Sequence, residues 1–132
     1  MKLIIGGYAQ GKLEYVVNRI GNTEHTVLEG SLSTTPEHKN TSVVIVNCLH
    51  EYVRNRLKEG GNPEMEIMQF VDLHPDCVMI SDEIGNGIVP VDAFERECRE
   101  RTGRILVELA KRAEEVERAI CGIGQRIKWK LY

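Results

Sequence analysis

The chain has 132 residues, 42% of them hydrophobic and 28% charged, and a formal net charge of −3. This length and composition predict one compact domain over residues 1–132. Lysine and arginine are interspersed with acidic residues, so the basic patch of a nucleic-acid-binding protein is missing. No apolar stretch approaches the roughly 18 residues of a membrane span, which predicts a cytoplasmic protein that contacts neither nucleic acid nor membrane.

Four cysteines are spread over the chain without any Cys-x-x-Cys pair: Cys48, Cys77, Cys98 and Cys121. This spacing argues against a zinc site, and in a cytoplasmic protein it also argues against disulfides. We interpret all four as small buried apolar residues.

The first elements in chain order are a strand, a glycine turn and a helix. Residues 2–5 form a short β-type run, and residues 11–20 carry apolar side chains at helical spacing. Residues 26–28 could form a second strand. The polar segment 30–41 is typical of a loop.

The middle of the chain alternates strands and helices. Residues 42–46 are a continuous β-branched run, which indicates a strand covered on both faces. Helical spacing follows over 49–57 and again over 64–71, where Pro63 suits a first helical turn. The apolar run 77–80 predicts a third buried strand.

The last third predicts a long helix over residues 91 to about 117, a strand at 119–123 and a weak edge strand at 125–131 that includes Trp129. Strands that alternate with helices favour an α/β sandwich around a mostly parallel sheet. Ligands of such folds bind at the carboxyl ends of the strands.

A glycine-rich segment between the first strand and the first helix fits the pattern G-x-x-x-x-G-K. Backbone N–H groups of such a loop can surround a phosphate while the lysine adds a positive charge. The alternative is an ordinary glycine turn with a solvated lysine. The predicted nucleotide-binding residues are Gly6, Gly7, Tyr8, Ala9, Gln10, Gly11, Lys12 and Leu13.

Two positions that usually help to hold Mg²⁺ are altered. Leu13 replaces the Ser or Thr that follows the lysine and has no oxygen to offer a hard cation. The strand 42–46 is followed by Asn47, where an acid is usual, and an amide oxygen carries no charge. Phosphate binding can therefore survive changes that weaken phosphoryl transfer.

Two acids stand at the carboxyl end of the third buried strand, followed by a glycine-rich turn. Asp82 or Glu83 could hold a metal-bound water or a substrate hydroxyl, and with Asn47 they are the candidate metal ligands. The alternative is that Asp82 caps a loop and Glu83 lies in solvent.

These segments together resemble the adenosylcobinamide kinase/adenosylcobinamide-phosphate guanylyltransferase family of cobalamin biosynthesis. That family has a G-G-x-x-S-G-K-S loop, a strand that ends in an acid and Cys, and an N-E-V-G-x-G-I-V-P signature before a long helix. The chain resembles a shortened and partly degenerate member over residues 1–20 and about 42–128. The signature positions here are Asp82, Glu83, Gly85, Gly87 and Pro90.

The resemblance implies a P-loop NTPase-like three-layer sandwich. It also implies GTP or ATP as the nucleotide, Mg²⁺ at a weakened site, and adenosylcobinamide, a corrinoid, as the acceptor. Lys12 and Glu83 are then the candidate catalytic residues. The family forms homo-oligomers, commonly trimers, and Gly103 in the predicted long helix suggests the close approach of a neighbouring subunit.

The family's guanylylated histidine lies in a segment that is mostly missing here. His38 is the only candidate remnant, and we expect guanylyl transfer to be absent or very slow. Leu106 and Val107 also replace an Asn-Gln pair of the family. Three hypotheses remain open: an adenosylcobinamide kinase, a paralogue that binds nucleotide or corrinoid without catalysis, and an unrelated small P-loop kinase. The last lacks the expected lid with clustered arginines.

Overall fold

The computed structural model describes residues 1–33, 43–83 and 91–129 of the chain. Strands and helices alternate over most of its length, as expected. In chain order they are β1 (Lys2–Gly6), α1 (Lys12–Ile20), β2 (His25–Glu29), β3 (Val43–Asn47), α2 (Leu49–Lys58), α3 (Pro63–Leu73), β4 (Val78–Asp82), α4 (Ala93–Arg112), β5 (Glu115–Ile120) and β6 (Ile123–Lys128).

The six strands form one sheet in the order β2-β3-β4-β1-β5-β6. Neighbouring strands from β2 to β5 are parallel, and β6 pairs antiparallel with β5 at the edge. The predicted α/β fold with a mostly parallel sheet is confirmed. Gly6 pairs with Asp82 and Glu29 pairs with Asn47, so the strand-end residues meet at one edge of the sheet.

Helices cover both faces of the sheet, which makes three layers. Leu3 and Met79 pack in the larger core with residues of α2, α3 and α4. Their chain neighbours Ile4 and Ile80 pack in a smaller core with Val16 of α1. Because side chains alternate between the faces of a strand, α1 lies on one face and the other three helices lie on the opposite face.

The polar residues before α3 and α4 explain where these helices begin. The side chain of Asn62 accepts the N–H of Met65, and Pro63 fills the first helical position. Asp92 accepts two main-chain N–H groups at the start of α4. None of the helices in the described ranges combines the length and apolar character that crossing a bilayer requires.

The prediction of one helix from 91 to about 117 is wrong at its C-terminal end. α4 ends at Arg112, and Ala113 already has an extended backbone. Residues from Glu115 onward pair with β1, where Val116 enters the larger core and Glu117 accepts a hydrogen bond from Tyr15 of α1. Both residues are buried, on opposite faces of the sheet, so strand pairing overrides the helical spacing.

The strand predicted at 119–123 and the edge strand predicted at 125–131 are both shifted. Observed β5 starts four residues earlier, and β6 covers Ile123–Lys128, so Trp129 follows the strand. The cysteine prediction is correct for Cys77 and Cys98, which are buried. It is wrong for Cys121, which is exposed, while Cys48 is half-buried.

Candidate functional site

The glycine loop connects β1 to α1 at the carboxyl edge of the sheet. Gly11 precedes the helix with φ 75°, a left-handed conformation that glycine adopts without strain. A Cβ atom on Gly6 would lie 2.6 Å from the main-chain oxygen of Ala119 on β5. A larger residue at position 6 would therefore separate the loop from the sheet.

The turn between β5 and β6 holds the loop from the other side. The N–H of Gly122 donates to the main-chain oxygen of Gln10 at 2.9 Å, and the N–H of Cys121 donates to the side-chain Oε1 of Gln10 at 2.7 Å. Gln10 thus contacts two consecutive residues of the turn. The sequence did not indicate this contact, because it joins positions 111 residues apart.

Lys12 lies at the centre of the site and is 9% exposed. Its ammonium group donates to the main-chain oxygen of Gly7 at 2.7 Å and to Oδ1 of Asp82, also at 2.7 Å. Gly7 directly follows Gly6, which the register pairs with Asp82. Lys12 is therefore a sheltered cation whose present partners an incoming anion would have to replace.

Asp82 also contacts His50 of α2. The main-chain N–H of Asp82 donates to Nδ1 of His50 at 3.1 Å, and Nε2 of the ring lies 3.4 Å from Oδ2 of Asp82. Since Nδ1 accepts a hydrogen bond, the neutral ring carries its proton on Nε2, facing the carboxylate. Lys12, Asp82 and His50 form one polar network.

His50 is the residue that sequence reasoning missed. The sequence analysis selected His38, which lies outside the described residues. Among the histidines that the structure describes, His25 is half-buried at the start of β2, where its ring contacts the main-chain oxygen of Thr23, and His74 stacks on Phe70. The available signal was the position of His50, three residues after the end of a strand that points at the ligand-binding edge.

The predicted metal ligands are engaged with other side chains. The amide nitrogen of Asn47 donates to both oxygens of Glu29, at 3.1 and 3.0 Å. Glu83 forms an ion pair with Arg118, which includes a hydrogen bond of 2.9 Å. With Asp82 bound to Lys12, these side chains as they stand do not fit Mg²⁺. The assignment of Asn47, Asp82 and Glu83 to a metal stays a prediction.

A cavity of about 270 Å³ opens beside the loop. It brings together predicted residues of the loop, the predicted strand-end residues Asn47 and Asp82, and side chains that sequence analysis did not select. Its lining is Tyr8, Ala9, Gln10, Gly11, Lys12, Leu13, Glu14, Asn47, Cys48, His50, Glu51 and Asp82. Glu83 does not line this cavity. Gly85, Gly87 and Pro90 of the signature lie outside the described residues.

Three non-glycine residues of the described ranges have left-handed backbone conformations, and all belong to this region. Ala9 in the loop has φ 56°, Cys48 before α2 has φ 56°, and Cys121 in the β5–β6 turn has φ 52°. Ala9 and Cys48 line the cavity, and Cys121 supports Gln10. Such strained residues concentrate at functional sites, because packing must fix them against their local preference.

The pKa of the half-buried Cys48 thiol depends on the charges around the cavity. Its pKa is raised, first by burial and then by the carboxylates of Glu51, Glu29 and Asp82, while Lys12 acts in the opposite direction. The thiol is therefore protonated at neutral pH. The surroundings of Cys48 carry more negative than positive charge.

Comparisons with known proteins agree with the resemblance seen in the sequence. The sequence model of the family described as cobinamide kinase / cobinamide phosphate guanyltransferase matches residues 17–127, beginning after the glycine loop. The bifunctional adenosylcobalamin biosynthesis protein CobU of Escherichia coli K12 is 41% identical over 105 residues, covering 65% of this chain and 58% of that protein. The same-named protein of Salmonella typhimurium LT2 is 41% identical over 51 residues, covering 39% and 28%. The chain thus spans less than two thirds of the length of these relatives.

Proposed function

The chain belongs to the cobinamide kinase / cobinamide phosphate guanyltransferase family, and on that premise we propose that it phosphorylates the hydroxyl group of adenosylcobinamide with GTP or ATP. The observation that carries the proposal is Lys12, a nearly buried cation at the end of a glycine loop, facing a cavity at the carboxyl edge of the sheet. This arrangement suits a polyphosphate, whose oxygens can accept from loop N–H groups and from the lysine.

Nucleotide binding would exchange the partners of Lys12. The ammonium group would leave the Gly7 oxygen and Asp82 for phosphate oxygens, and His50 would keep the freed carboxylate in place. Glu83 would then act on the acceptor side, held by the guanidinium of Arg118. In this proposal the residues position the two substrates and offset the charge that develops on the transferred group.

We further propose that guanylyl transfer to this chain has been lost. The family's nucleophilic histidine lies in a segment that this sequence mostly lacks. Of the described histidines only His50 lines the loop cavity, and both of its ring nitrogens already face Asp82. A nucleophile needs an available lone pair, which this arrangement does not provide.

The second candidate function is a paralogue that binds nucleotide or corrinoid without catalysis. The pair formed by Asn47 and Glu29, together with the aliphatic Leu13, favours it, because the usual magnesium anchors are then missing while Lys12 is retained. Either form would be a homo-oligomer such as a trimer. A Cβ atom added to Gly103 would have no neighbour within 4 Å in the described part of the chain. This surface of α4 is therefore open to a neighbouring subunit.

Two measurements test the proposal. Calorimetric titration of GTP, ATP and adenosylcobinamide should show nucleotide binding that weakens about tenfold or more in Lys12→Ala, because a charge-assisted contact is lost. Lys2→Ala, at the half-exposed start of β1, is the matched control and should bind like the wild type. Detection of phosphorylated adenosylcobinamide by mass spectrometry then separates the kinase from the non-catalytic paralogue. Absence of nucleotide binding would reject the kinase, and absence of both nucleotide and corrinoid binding would reject both candidates.

A further inference from the structure

Three side chains with metal-ligating atoms converge where β3 leads into α2. One ligand atom from each of Cys48, His50 and Glu51 lies within 4.8 Å of the other two. All three residues line the cavity beside the glycine loop. Their donors therefore face the space assigned above to the phosphates, yet none of them is among the predicted metal ligands.

The backbone at Cys48 makes this convergence possible. Its left-handed conformation turns the chain sharply from the strand into the helix, so that three donors within a stretch of four residues can approach one another. An L-residue keeps this conformation only where its surroundings fix it. The three donors are consequently held on packed elements rather than on a free loop.

The charges around the cluster favour a cation. The negative charges of Glu29 and Asp82 help to raise the pKa of the Cys48 thiol. The carboxylate of Glu29 is bound by Asn47, and that of Asp82 is bound by Lys12. The main-chain N–H of Glu51 donates to the oxygen of Cys48, but its carboxylate makes no hydrogen bond or ion pair in the described parts of the chain. An exposed carboxylate, a thiol and an imidazole thus share one acidic surface.

We propose that Cys48, His50 and Glu51 bind a divalent transition-metal ion of the zinc or cobalt type. Thiolate and imidazole donors suit these borderline ions, whereas Mg²⁺ prefers oxygen ligands. Three protein ligands would leave a fourth position for a ligand from the cavity that all three residues line. The binding itself goes beyond the proposed function; only the use of the open position for a phosphate oxygen rests on it.

Metal binding would rearrange two groups in a defined way. The thiol of Cys48 would lose its proton to solvent and bind as thiolate. His50 would exchange one of its two contacts with Asp82 for a metal–nitrogen bond. The other ring nitrogen would keep its N–H on the carboxylate, which is the usual carboxylate–histidine–metal arrangement.

The test uses Co²⁺ alone with the full, chelator-treated chain, because cobalt bound to a thiolate gives a charge-transfer absorption band. We expect one equivalent of Co²⁺ to produce the band, Zn²⁺ to displace it, and affinity to rise about tenfold per pH unit below the pKa of the thiol, since one proton is released. Cys48→Ser should lose the band, and Cys121→Ser, the exposed control, should keep it. His50→Gln and Glu51→Gln should weaken binding at least about tenfold.

Three results would overturn the inference: no band in the wild type, a band that survives Cys48→Ser, or a band lost in Cys121→Ser. Circular dichroism checks the fold of each variant, and Glu51→Gln changes an exposed side chain, so one informative variant does not disturb the core. Adding GTP to the cobalt-loaded chain separates the two proposals. A band that GTP leaves unchanged, without calorimetric GTP binding, supports the metal site and rejects the nucleotide site. GTP binding to a chain that gives no cobalt band supports the nucleotide site and rejects the metal site.

Discussion

The amide N–H of Cys121 donates a 2.7 Å hydrogen bond to the side chain of Gln10, which joins the last hairpin of the sheet to the glycine loop. The adjacent N–H of Gly122 holds the main-chain oxygen of the same residue. The loop is thus fastened at one point by both its backbone and its side chain. The conformation of the loop therefore depends on the β5–β6 turn. In the sheet, β5 lies beside β1 on the side opposite β4.

Replacing Gln10 with alanine should weaken this connection without creating a cavity in the hydrophobic core. One net hydrogen bond is worth about 0.5–1.5 kcal/mol, so nucleotide affinity should fall roughly three- to tenfold if the loop must be ordered to bind. Calorimetry on Gln10→Ala measures this. Gln69→Ala, an exposed position of α3, should change nothing, and unaltered binding in Gln10→Ala would show that the loop holds its conformation by itself.

Asp82→Asn should strengthen nucleotide binding and slow turnover. The carboxylate competes with phosphate for Lys12 across 2.7 Å, and removing its charge also removes repulsion of the incoming anion. We expect affinity to rise roughly tenfold, the equivalent of one charge-assisted hydrogen bond. Asp72→Asn, which removes an exposed partner of Arg112, is the control. Weaker binding in Asp82→Asn would mean that Asp82 positions the nucleotide rather than competing with it.

Magnesium should change nucleotide affinity little in the wild type, because Leu13 has no ligand atom and Asn47 is tied to Glu29. The double variant Leu13→Ser with Asn47→Asp should make binding depend on Mg²⁺. In its absence the new carboxylate lies against Glu29, so this variant should also unfold at a lower temperature until Mg²⁺ is added. Thermal unfolding and calorimetry, with and without Mg²⁺, check both effects. Strong magnesium dependence already present in the wild type would contradict the prediction.

Acid should weaken the contact between α3 and α4. A hydrogen bond from Arg101 is the main cause that lowers the pKa of Glu64 in the folded chain. The stabilisation is therefore complete above the unfolded pKa of about 4.3 and is lost as pH falls through the lower folded pKa. Both side chains are about one third exposed, so the effect should stay below about 1 kcal/mol.

Urea unfolding of the wild type and Glu64→Gln between pH 7 and pH 3 tests this sign. The two unfolding free energies should differ most at pH 7 and converge at pH 3. Glu108→Gln, an exposed partner of Lys111, should track the wild type throughout. A difference that grows on acidification would show that the pair does not stabilise the folded state.

The glycine loop and the position of Asp82 could be predicted because both depend on local patterns: a strand, its end, and the residues that follow. The contact of Asp82 with His50 could not, since it requires β3 and β4 to be neighbours in the sheet, and strand order is not written in any local segment. The start of β5 was misplaced for a related reason. In the sequence, Val116 fits the apolar stripe of a helix as well as it fits a strand. Only its pairing with β1 in the folded sheet distinguishes the two.

The fastening of Gln10 to the β5–β6 turn also has a consequence for synthesis. Residues 1–20 emerge from the ribosome before the partners of Gln10, which lie 111 and 112 positions later in the chain. Once Val78–Asp82 have emerged, the chain can pair β1 with β4 while the loop still lacks its support. A nascent chain stalled before Cys121 should therefore resist protease in its early strands and yet be cleaved within the loop. The glycine loop is therefore made early, but its shape is completed only when the β5–β6 turn has formed.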